Sequence, residues 1–117
     1  MGKEIREKGL ELEDMLADHL ERRGYIVFRR LFRGKADLVF LKGGVLWVAE
    51  VKNYRVRARD VPRFVRRLNR TGREVAEHLR RRGFSFSEVV TLVVARGFEK
   101  RPSRTMAMSV EEFLSLF

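Results

Sequence analysis

The chain has 117 residues, enough for one hydrophobic core and too few for two, so it reads as one domain over residues 1–117. It contains no cysteine, which excludes disulfides, thiolate-held zinc and cysteine-bound iron–sulfur clusters. Lys and Arg number 26 against 16 Asp and Glu, a formal net charge of +10, and so large an excess calls for a polyanionic partner.

Residues 4–23 predict a first helix. Leu10, Leu12, Leu16, Ala17 and Leu20 share one arc at helical spacing, and Glu11, Asp14, Asp18 and Arg22 share the other. Glu13 falls inside the apolar arc, within about 20° of Leu20, so its carboxylate faces the core side. A lone Glu there is costly without a partner: it either joins a metal site, directly or through water, or it snorkels to the rim or pairs structurally with Lys52. Gly24 closes the helix as a C-cap, and Tyr25 opens a strand over residues 25–32. Arg29, Arg30, Arg33 and Lys35 form a basic run that leads into Asp37 and suits the guidance of phosphates.

Two apolar runs, residues 38–41 and 45–51, flank Gly43-Gly44, a dipeptide that permits the positive φ angles of a tight hairpin. Period two puts Glu50 and Lys52 on one face, with Asp37 at the start of the facing strand. Strand interiors disfavour all three residue types, so the trio costs stability unless a metal ion or mutual pairing compensates. Phosphodiester hydrolysis needs a hard divalent cation on oxygen ligands, a water made nucleophilic, and positive charge where the phosphorane develops. Asp37 and Glu50 can supply ligands, the Val51 carbonyl a third, and Lys52 the positive charge. A buried Glu-Lys-Asp salt-bridge cluster is the alternative.

Residues 53–57 complete the third strand; Tyr54 offers a ring for stacking or for packing, and Arg55 and Arg57 add two cations. Asp60 can cap a second helix, with Pro62 in its first turn, running to about residue 82. Val61, Phe64, Val65, Leu68, Val75, Ala76 and Leu79 form its apolar stripe, with Gly72 between them. The opposite surface carries Arg63, Arg66, Arg67, Arg70, Arg73, Arg80 and Arg81. Asp60, Glu74 and Glu77 cannot balance so many, which predicts a phosphate-contacting face. After Gly83 the run VVTLVVA, residues 89–95, has the continuous apolar character of a strand buried on both faces. Residues 97–105 read as a basic loop. Ser109 and Glu112 form a capping box opening a short C-terminal helix, whose Phe113, Leu114, Leu116 and Phe117 either cover the sheet or build a dimer interface. His19 and His78 stand alone among charges and are expected at the surface.

The predicted order is αβββαβ with a short C-terminal helix, an α/β fold whose last strand joins a mixed central sheet through the second helix. The basic residues are spread through these elements and not gathered on one lipid-facing helix, so nucleic acid is the expected partner and a membrane is not. The absence of a membrane-length apolar run or signal-like N-terminus predicts a soluble, cytoplasmic, nucleoid-associated protein. No Gly-rich phosphate loop is present, which removes a nucleotide cofactor from the expectation. The lack of Gln and Cys together with abundant charge points to a thermophilic source.

Asp37, Glu50 and Lys52 in the arrangement D-x12-E-x-K, after a helix with an inward Glu, resemble the PD-(D/E)xK nuclease superfamily. Within it the chain looks most like the archaeal Holliday-junction resolvases: Gly9 and Glu13 match their G-x-x-x-E helix pattern, and Gly24-Tyr25 the Gly-aromatic pair that opens the first strand. Ala36 stands where the superfamily's name has Pro, and residues 33–35 lack the serine many resolvases carry before the Asp. The resemblance implies a restriction-endonuclease-like core and a Mg²⁺-dependent endonuclease, with Mn²⁺ as a substitute. Catalysis would rest on Glu13, Asp37, Glu50 and Lys52, acting on branched DNA as a homodimer. A repair or restriction-type nuclease on flaps, ends or specific sequences is the alternative within enzymes, and a non-catalytic nucleic-acid-binding module of the same fold is the alternative outside them.

Overall fold

The computed structural model describes residues 2–29, 36–102 and 105–117, with side chains from Glu11 onward. Helix α1 spans Gly2–Arg22, followed by strands β1 (Ile26–Val27), β2 (Leu38–Lys42) and β3 (Val45–Val56). A 3-10 turn (Ala58–Asp60) leads into helix α2 (Val61–Arg81), then β4 (Glu88–Phe98), β5 (Met106–Ser109) and α3 (Val110–Leu116). The strands form one mixed sheet in the order β1-β2-β3-β4-β5, antiparallel from β1 to β3 and parallel from β3 to β5.

Local chemistry explains the joints. Gly43 and Gly44 both take positive φ, 60° and 78°, the geometry of a two-residue hairpin turn, and they pair Lys42 with Val45. That turn fixes the register: Leu38 faces Ala49, so Asp37 stands one step further along, opposite Glu50. Gly24, at φ 87°, ends α1 while the Tyr25 N–H donates back to the Leu20 carbonyl at 3.0 Å.

The sheet is covered on both faces. On one side α1 and α3 bury Leu12, Leu16, Leu20 and Phe113 against Phe40, Ala49, Val51, Leu92 and Val94. On the other, α2 buries Leu68, Val75 and Leu79 against Val39, Val48 and Val93. The alternation of Leu92 and Val94 with Val93 accounts for the unbroken apolar run of β4: a strand with a helical layer on each face has no solvent side to mark. Phe40 and Trp47 stack at 6.0 Å, and Phe117 meets Trp47 edge-on at 4.8 Å. The C-terminal helix thus packs on its own chain, leaving Leu116 69% exposed.

Two expectations need correction. The core is αβββαββ followed by α3, since Met106–Ser109 forms a fifth strand, and β4 extends through Gly97 and Phe98 into the stretch read as a loop. Met-Ala-Met-Ser has neither β-branched residues nor clean alternation, and it becomes a strand because β4 offers an edge, pairing Leu92 with Met106 through Ala95 with Ser109. Ser109 then serves twice, ending β5 and capping α3 in a reciprocal box with Glu112. His19 is half-buried, with Nε2 lacking a hydrogen-bond partner among the described residues, and is not a solvated surface group. Of the strand expected over residues 25–32, positions 30–32 lie outside the described residues, and Phe28 still donates to Val39 O at 2.9 Å.

Candidate active site

Backbone register builds the site. Ala49 and Val51 point into the α1 layer, so Glu50 and Lys52 point beneath α2. Asp37 precedes β2, and its Oδ2 accepts the Val51 N–H at 2.8 Å, tying the loop end to β3. These three residues line a cleft of about 680 Å³ whose other wall is Arg63, Arg66, Arg67 and Arg70 of α2.

Glu50 is 7% exposed, and a carboxylate that deep needs compensation. Lys52 Nζ lies 3.1 Å from its Oε1, and the Arg67 guanidinium pairs with the same oxygen. The buried ring of Phe64 holds the cations in place: Lys52 Nζ sits 4.5 Å from its centroid, with Arg63 at 5.1 Å and Arg67 at 5.5 Å. The cleft is therefore a buried acid inside a cationic wall, chemistry that can receive an anionic group.

The remaining acids carry the opposite stress. Burial pushes the Glu13 carboxyl up from 4.5 to about 7, the charges of Asp37 and Asp14 push the same way, and Lys52 opposes them. Asp37 is also raised, first by desolvation, against the Val51 hydrogen bond and the charges of Lys52 and Arg67. Asp37 still meets solvent at the lip of the cleft, so its upward push is the weaker of the two.

The sequence-predicted residues separate into groups. Asp37, Glu50, Lys52, Arg63, Arg66, Arg67 and Arg70 share one cleft. Glu13 comes from the α1 layer and feels the charge of Asp37 and Lys52, but does not line that cleft. Among the described residues no three Asp, Glu or His side chains are grouped closely enough to hold a metal ion, because Glu50 turns to Lys52 and Arg67 and Glu13 approaches from the other layer. The donor chemistry still fits a hard cation: Asp37 commits one oxygen to Val51, and the carboxylates of Asp37 and Glu13 repel each other across the sheet end. Val51, expected to lend its carbonyl, is held through its N–H.

Arg29 is anchored to α1, with Asp18 and Glu21 each 2.5 Å away and Asp14 at 3.7 Å. Tyr54, Arg55 and Arg57 are exposed, with Tyr54 inside the irregular pairing between Lys52 and Arg55 and Arg57 after it, and none of the three lines the cleft. Arg30, Arg33 and Lys35 lie outside the described residues. Phe64 was legible only as a member of the apolar stripe; its position one turn before Arg67 was the signal that it carries a guanidinium.

No described helix is long and apolar enough to cross a membrane. The chain matches no protein-family model and no curated protein.

Proposed function

We propose that this protein is a divalent-metal-dependent nuclease that hydrolyses phosphodiester bonds in DNA inside the cell, on a restriction-endonuclease-like core. One observation carries the reading: the hairpin register sets Asp37 opposite Glu50, with Lys52 one repeat further on, under a wall of arginines in a single cleft. Asp37 and Glu50 are the residues that would hold the cation, Mg²⁺ or Mn²⁺, with Glu13 reaching it through water. The chemistry such an ion supplies is a lowered water pKa and neutralisation of the scissile phosphate.

The protein's own groups do the rest. Lys52, held at 4.5 Å over Phe64, presents an ammonium to the charge that develops on the phosphorane. Arg63, Arg66 and Arg70 bind the flanking phosphates and fix the strand in the cleft. Arg67 pairs with Glu50 in the free protein, and a bound phosphate would offer its guanidinium a competing partner, leaving the Glu50 carboxylate available as a ligand. The resemblance to archaeal Holliday-junction resolvases supports a branched substrate cut by a homodimer with two sites about a twofold axis.

The test is cleavage of a labelled four-way junction and a matched linear duplex, with Mg²⁺ or with EDTA, beside Asp37→Ala. Symmetric, metal-dependent nicks in the junction alone, lost in the variant, are the expected result. Cleavage of both substrates would keep the nuclease and remove the junction specificity. The Lys52 and Arg67 pairs on Glu50 favour a second reading, a binding module with a structural ion cluster. Salt-sensitive DNA binding without cleavage under any divalent cation would establish it in place of the first.

A further inference from the structure

Helix α2 has a groove along each flank. One is the cleft described above. The other, about 580 Å³, runs where Asn69, Arg73 and Arg80 face Val89 and Thr91 of β4. At 100° per residue, Arg73 and Arg80 lie about 120–140° around the axis from Arg67, the arginine paired with Glu50, with Arg66 and Arg70 between them. A Cβ on Gly72 would stand 2.9 Å from Thr91 Cγ2, so glycine lets the helix settle directly on β4 and forms the floor. The Thr91 hydroxyl donates to the Asn69 amide oxygen at 3.4 Å across that floor. Because β5 pairs with β4 only from Leu92 onward, Val89 and Thr91 precede the point where the fifth strand covers that edge.

Charge decides what such a groove accepts. No carboxylate lines it among the described residues, whereas the cleft contains Asp37, Glu50 and Glu74. Arg80 lies 4.5 Å over the ring of Phe86, which orients its guanidinium and leaves the N–H edge for an oxyanion.

We infer that this second groove binds the phosphodiester backbone of nucleic acid beyond the point of cleavage, an inference that rests on the nucleic-acid reading above. An arginine rim without acids favours a polyanionic strand over a neutral peptide. Arg70 and Arg73 lie on the crest of α2 between the two grooves. From Arg67 to Arg80 the helix rises about 20 Å. One strand of B-form DNA places about six phosphates over that length, at ~3.4 Å each along the axis. A backbone leaving the cleft therefore meets arginine at each stage of its path across the helix.

The experiment measures affinity for a labelled duplex of about 20 base pairs across a salt series. It compares the wild-type protein, Arg73→Ala/Arg80→Ala, the charge-keeping Arg73→Lys/Arg80→Lys, and Arg22→Ala/Arg23→Ala, an equal charge loss at the end of α1. The expected result is a slope of log affinity against log salt that falls by about 2 in the groove variant, recovers with lysine, and changes clearly less in the α1 variant. A groove variant indistinguishable from the α1 variant overturns the inference. Wild-type protein that binds neither this duplex nor a four-way junction overturns both this inference and the proposed function. Wild-type protein that binds without cutting, with the slope change intact, removes the nuclease alone.

Discussion

On one flank of α2, Arg63 and Arg67 meet a buried glutamate and a lysine; on the other, Arg73 and Arg80 meet valine and threonine. The helix contributes the same residue type to both sides, and the strand beneath decides what the arginines do. Where β3 presents Glu50, a guanidinium is consumed in compensating a buried charge. Where β4 presents Val89 and Thr91, no carboxylate lines the groove among the described residues, and its rim keeps a positive charge.

The largest expected effect comes from breaking the acid-bearing flank. Lys52→Ala removes the ammonium proposed to meet the developing charge while leaving Arg67 on Glu50. Single-turnover cleavage is expected to slow by ~10²–10³, about 3–4 kcal/mol of barrier, with the fold retained by circular dichroism. An unchanged rate would assign Lys52 a structural role.

Breaking the other flank acts on packing. Gly72→Val drives a side chain against Thr91 and lifts α2 from β4, an overpacking cost of about 1–3 kcal/mol in denaturant melts. A neutral substitution there would mean that the helix is free to shift and that the groove's floor is not held in place.

The pH dependence sharpens the contrast, since the raised carboxyls, Asp37 in the cleft and Glu13 in the α1 layer, both lie away from the second groove. Glu13 is pushed up from 4.5 to about 7, so the folded chain holds that proton more tightly than the unfolded one. Its contribution is full below about pH 4.5 and is lost as pH rises through about 7. Without divalent cation the melting temperature is expected to fall across that window, by on the order of 1–3 kcal/mol of stability. Glu13→Gln should flatten that part of the curve, and identical curves for the two proteins would remove Glu13 from the site. The smallest effect is expected outside both grooves: Arg81→Ala breaks only a surface pair with Glu77 one turn away, worth about 0.3–0.5 kcal/mol.

How much of this was legible depended on range. The hairpin was, because Gly43-Gly44 and the alternation around it act within a few residues; the Ser109–Glu112 capping box was for the same reason. Strand β5 was not, since Met-Ala-Met-Ser has no strand preference of its own and borrows its conformation from the edge of β4. The basic run before Asp37 was visible, yet Arg29 goes to the acids of α1, a choice set by how β1 leaves the helix and not by composition. Arg67 was one arginine among many until the crossover from β3 to β4 laid α2 over Glu50.

By itself the sequence determined the spacing that puts Asp37 opposite Glu50 and Lys52 on Glu50's face, because strand periodicity and turn geometry are local properties of the backbone. Only the tertiary structure decided which cation reaches which acid, that Glu13 stands in a different layer, and that one arginine helix serves two grooves. Those outcomes depend on contacts between residues far apart in the chain, and no local pattern encodes them.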